Sequence, residues 1–125
     1  MEQLPIRSYA YIGDAVYEVF VREKTIFLAS KPDELHKITS SLVNAEFHAE
    51  LLEKIQEFLN EEEKEIVRRA RNLSVTTKRR TNQTLHRLST AFEALVGYLY
   101  LHDKDRLKVL FDFIEPLIDF SRTNA

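Results

Sequence analysis

Two acids stand where an acid is costly. Asp14 follows Gly13 in the run Tyr11-Ile12-Gly13-Asp14-Ala15-Val16, and Glu93 lies between Phe92 and Ala94, beside the apolar seam of a long helical pattern. A carboxylate flanked by core positions must be satisfied by a cation, a hydrogen bond or a metal ion. The plainer alternative is that both acids edge the core and pair with arginines. Gly13 also asks for a reason, because glycine inside a helix costs about 1 kcal/mol relative to alanine. Close approach of another segment would supply one. Other chemistries find little support. His36, His48, His86 and His102 are scattered and form no i, i+4 metal-binding pair. No strand-turn-helix frame surrounds a serine, which argues against a serine hydrolase. The chain has no cysteine, which excludes a thiolate nucleophile, a cysteine zinc site and disulfides.

Charge is the second signal. From Ile66 to Phe92 there is no acid, while Arg68, Arg69, Arg71, Lys78, Arg79, Arg80 and Arg87 supply seven positive charges. With a total of −2, the remainder of the chain carries −9. A local patch of this kind attracts a polyanion such as nucleic acid even when the whole molecule is acidic. A basic helix end followed by a loop accounts for the same residues without a partner.

Six helices would have to position these groups. Ile12, Ala15, Val16, Val19 and Phe20 recur at helical spacing and predict a first helix over residues 7–27, with Asp14, Glu18 and Arg22 on another line of it. Ser30-Lys31-Pro32-Asp33 reads as a helix start with Ser30 as the cap hydroxyl, followed by a short helix through Thr39. Val43, Phe47, Leu51, Ile55, Phe58 and Leu59 predict a third helix ending near Asn60. Asn60 caps a fourth, with Glu61, Glu62, Glu63 and Glu65 in its first turns and Arg68, Arg69 and Arg71 in its last, the order a helix dipole favours. Residues 72–84 lack apolar periodicity and predict a loop. Leu85, Leu88, Phe92, Leu95 and Leu99 predict a long, strongly amphipathic helix closed by Asp103, and its small Ala91, Ala94 and Gly97 would admit a close neighbour. Leu107, Leu110, Phe111 and Ile114 form a last helix, bent or restarted by Pro116.

Composition agrees. With 125 residues, 44% hydrophobic and 30% charged, the chain is long enough for one domain over 1–125 and one core. It has two glycines, where average usage would give about nine. That is too few for the turns of a sandwich or barrel, or for a glycine-rich phosphate loop. The expectation is an all-α, single-domain helical bundle. No basic leader precedes an apolar stretch, so neither a secretory signal nor a membrane span is expected, and a cytoplasmic location is the default.

At the two acids the chain resembles the ribonuclease III endonuclease domain. The signature helix there reads acid-aromatic-Leu-Gly-Asp-Ala, and a later helix reads Asp-x-x-Glu-Ala. Tyr11-Ile12-Gly13-Asp14-Ala15 matches the first, and Glu93-Ala94 the end of the second. The closer resemblance is to Mini-III, the bacterial subfamily without a double-stranded RNA-binding domain. It is carried by Tyr11 to Glu18, Leu35-His36-Lys37, Arg71-Asn72 and Ser89-Thr90-Ala91-Phe92-Glu93-Ala94-Leu95. Two positions depart from the wider family. Ala10 stands where a glutamate four residues before the signature aspartate is usual, and Thr90 where an aspartate three before the glutamate is usual. Mini-III enzymes look similarly depleted. Glu18 has no matching motif position.

The resemblance implies a bundle of the ribonuclease III endonuclease type and an Mg2+-dependent endoribonuclease that hydrolyses double-stranded RNA. Asp14 and Glu93 would be its catalytic residues and metal ligands. Magnesium takes oxygen ligands and keeps several waters, so one or two carboxylates per ion suffice when RNA phosphate completes the shell. His36, Lys37, Arg71, Asn72, Lys78, Arg79 and Arg80 would contact RNA, and Tyr11 would lie at the interface of a two-fold homodimer. The implied role is maturation of precursor large-subunit ribosomal RNA, with a ribosomal protein as a candidate partner. Ala10 and Thr90 keep open a second reading, a non-catalytic RNA-binding module of the same fold. A helical protein-interaction domain would leave the basic stretch unexplained.

Overall fold

Six α-helices carry the chain in the computed structural model, which describes residues 3–73 and 82–121. They are α1 Ile6–Thr25, α2 Pro32–Leu42, α3 Ala45–Lys54, α4 Glu61–Arg71, α5 Gln83–His102 and α6 Lys104–Ile114, with a 3-10 turn at Glu115–Leu117. No strand occurs among the described residues. The expected all-α bundle is what forms.

Local chemistry explains most of the boundaries. Asn60 and Glu63 build a reciprocal capping box: each side chain accepts the other's backbone N–H, both at 2.9 Å. Asp103 ends α5 and caps α6 by accepting the Arg106 N–H at 3.0 Å. Pro116 falls in the 3-10 turn, where the last helix gives out.

The expected boundaries of α2 and α3 need correction. The cap of α2 is Lys31, not Ser30, and it makes no side-chain bond; Pro32 at the first helical position and acids at Asp33 and Glu34 start the helix instead. This helix also continues past Thr39 to Leu42, because Ser41 and Leu42 are buried. The third helix stops at Lys54, and the Phe58 N–H then closes a turn on the Ile55 carbonyl at 2.9 Å. Ile55 and Leu59 remain buried through that turn, so their apolar spacing served packing rather than helix.

The largest correction concerns α5. It is not amphipathic: from Ser89 to Leu99 every residue except Glu93 is buried. Helices α1, α3 and α4 pack around it, α1 most extensively. A helix apolar on all sides belongs at the centre of a bundle, and α5 is the axis of this one. An ion pair ties the outer helices together. Glu63, 1% exposed, receives Arg106 Nε at 2.7 Å, and Arg106 also donates to the Phe58 carbonyl at 3.0 Å. No described helix is long and apolar enough to cross a membrane.

Candidate active site

Both of the chain's glycines sit where α1 crosses α5. A Cβ on Gly13 would lie 1.7 Å from the Glu93 carbonyl oxygen, and one on Gly97 would lie 1.9 Å from that of Tyr9. The two backbones therefore touch directly, which is the close approach that Gly13 and Gly97 foretold. This crossing places the residue after Gly13 beside Glu93.

Glu93 lies within the influence of the Asp14 carboxyl. Burial, then hydrogen bonding with Asp14 and the Asp14 charge, push the Glu93 pKa up to about 8. At neutral pH without a cation the pair thus holds a proton. The third member is His48 on α3, with a side chain 2% exposed. Its Nδ1 lies 3.1 Å from Ser89 Oγ and 3.8 Å from Glu93 Oε2. Its ring packs edge-on to Tyr17 at 5.1 Å and beside Phe92 at 5.4 Å. Burial lowers its pKa to about 4 against the opposing pull of Asp14. The imidazole is therefore neutral, and its approach to Glu93 is a polar contact rather than an ion pair. His48 Nε2 is buried without a hydrogen-bond partner.

Such a pair can hold either one proton or one cation, since two like charges this close disfavour each other. Among the described residues no group of three or more His, Cys, Asp or Glu side chains is placed to hold a metal ion. A cation here would take two protein carboxylates and complete its shell with water and substrate oxygens.

The other residues singled out by sequence lie apart from this pair. Glu18 is engaged by Arg22 at 2.9 Å. His36 lines a separate hollow with Arg22, Pro32 and Leu35, its Nε2 3.4 Å from Ser40 Oγ, and Lys37 is exposed on the same helix. Arg71 and Asn72 line a hollow of about 420 Å³ between α4 and α5 with Lys64, Arg68 and Arg87. Lys78, Arg79 and Arg80 lie outside the described residues. Tyr11 is 86% exposed on α1. His48 and Ser89 escaped sequence reasoning as parts of the site. Ser89 carried a faint signal, four residues before Glu93 on one helix, whereas His48 meets it from 41 positions away.

Comparison with known proteins bears on this geometry. Residues 7–104 match the Ribonuclease III domain family. A Mini-ribonuclease 3 from Thermoanaerobacter sp. (strain X514) is 42% identical over 113 residues, covering 88% of this chain and 80% of its own. One from Clostridium tetani is 38% identical, covering 99% and 85%. The crystal structure of protein FN1578 from Fusobacterium nucleatum superposes with a TM-score of 0.79 at 28% identity, over 90% of this chain and 93% of that one.

Proposed function

The chain belongs to the ribonuclease III family, and from that premise we propose that it is a magnesium-dependent endoribonuclease of the Mini-III type. Its substrate is double-stranded RNA, in the maturation of precursor large-subunit ribosomal RNA. The observation that supports this reading is the Asp14–Glu93 pair, two carboxyls brought together by a backbone crossing, of which Glu93 keeps its proton at neutral pH. That donor set fits magnesium, a hard ion satisfied by oxygen ligands and retained water. When bound, the ion supplies charge neutralisation at the phosphate and activation of water.

The chain's own residues do the rest. Asp14 and Glu93 would hold the ion, Glu93 releasing its proton as they do so. Neutral His48, wedged between Tyr17 and Phe92, keeps Glu93 from swinging away from Asp14. The Gly13–Gly97 contact holds the two helices rigidly, so the ligands arrive already placed. Arg71 and Asn72, with Lys78, Arg79 and Arg80 beyond them in sequence, would grip the RNA backbone. His36 and Lys37 contribute from α2. Exposed Tyr11 would seal a two-fold homodimer in which each subunit addresses one strand, and a ribosomal protein is a further partner of this reading.

The test is a radiolabelled RNA duplex incubated with magnesium or with chelator. Cleavage should require magnesium and vanish in Asp14→Asn and in Glu93→Gln, with helicity retained. Full activity in either variant rejects the assignment. Ala10 and Thr90 favour one alternative, a non-catalytic RNA-binding module; binding without cleavage by the unaltered chain would select it.

A further inference from the structure

A cavity of the opposite character adjoins the acid pair. It measures about 190 Å³, lies between α1, α4 and α5, and is lined by the apolar Ala10, Ala70 and Leu73 and by Arg7, His86, Arg87 and Thr90. Ala10 stands one turn before Asp14 on α1, and Thr90 one turn before Glu93 on α5, so the cavity begins about 5 Å along each helix from the two carboxyls. No acid lines it. Its floor, Ala10 and Thr90, is nearly buried and uncharged. Arg87 is already oriented, since its Nε donates to the Leu73 carbonyl at 3.2 Å. A guanidinium held in this way loses less freedom when it meets a ligand.

We propose that this cavity binds a backbone phosphate of the RNA strand being cut, next to the scissile one, with Arg7 and Arg87 as its charged donors and His86 as a third. Two guanidinium groups present the planar, forked donors that match phosphate oxygens, and an imidazole donates a hydrogen bond whether or not it is charged. Positions 10 and 90 place neutral side chains, not carboxylates, beneath the anion. The acid pair and the basic cavity then divide the strand between them, one addressing the reacting phosphate and the other holding its neighbour in register. This inference rests on the active-site reading above.

The test is the Arg7→Gln/Arg87→Gln double variant, with Arg7→Gln alone as the companion that leaves the Arg87–Leu73 bond intact. Fluorescence anisotropy of a labelled RNA duplex in chelator, between about 50 and 200 mM salt, reads affinity and its salt slope. Single-turnover cleavage with magnesium at saturating protein reads positioning. The double variant should bind about tenfold more weakly, lose about one from the log–log salt slope and cleave at least several-fold more slowly at saturation. Arg7→Gln alone should lie between it and the unaltered chain. An unchanged salt slope, or an unchanged saturated rate, overturns the proposal while cleavage by the unaltered chain leaves the active-site reading standing. Absence of magnesium-dependent cleavage in the unaltered chain overturns both.

Discussion

In chelator, the protein should lose stability as the solution turns alkaline, and Glu93 and His48 together determine where the loss begins. The folded state keeps the Glu93 proton to about pH 8, against 4.5 for an ordinary glutamate, because burial and Asp14 disfavour a second negative charge. Below 4.5 that stabilisation is complete, and it disappears as pH rises through 8. His48 acts in the opposite sense. Burial holds its pKa at about 4 instead of 6.5, so below 6.5 the unfolded chain takes up a proton the folded chain refuses, and stability falls with falling pH. Between 4.5 and 6.5 the two slopes oppose and largely cancel. Between 6.5 and 8 Glu93 acts alone, and the loss amounts to about 2 kcal/mol. Urea unfolding at constant ionic strength in chelator measures it, with Glu93→Gln as the reference that carries no such titration. The stability difference between the two proteins should change by about 2 kcal/mol across this interval, and His48→Phe should bring the decline forward to about 4.5. Magnesium at pH 8 should return the lost stability, since a cation replaces the proton. A difference that stays constant from 6.5 to 8 refutes the reasoning.

Three further outcomes follow from the packing. Gly13→Ala puts a methyl 1.7 Å from the Glu93 carbonyl oxygen and forces α1 off α5; about 3 kcal/mol should be lost in urea unfolding despite alanine's better helix propensity, and a loss under about 1 kcal/mol would mean that the crossing yields. Arg106→Ala strands Glu63 in a site 1% exposed, which should cost about 3–5 kcal/mol by the same measurement; a change within about 0.5 kcal/mol would show the pair to be dispensable. Light scattering at micromolar concentration should give twice the monomer mass for the unaltered chain and the monomer mass for Tyr11→Arg, and a monomeric unaltered chain would dismiss the dimer.

What could be read from residues alone was whatever depends on neighbours in the chain. The Asn60 cap of α4 and the end of α5 at Asp103 depend on residues a few positions apart, and both stand as their residue types imply. Asp14 and Glu93 drew notice because each interrupts an apolar run, and the two scarce glycines pointed to a close helix crossing. Tertiary structure decided the rest. Apolar spacing reports that one face of a helix is covered and is silent on the others, so α5 showed itself as the axis of the bundle only once α1, α3 and α4 surrounded it. The same spacing serves a turn as well as a helix, which is why the run from Ile55 to Leu59 misled. His48 beside Glu93, and Arg7 and Arg87 lining one cavity, join residues from opposite parts of the chain. Their meeting is set by how helices stack, because burial and proximity are properties of the packed bundle that no local spacing encodes.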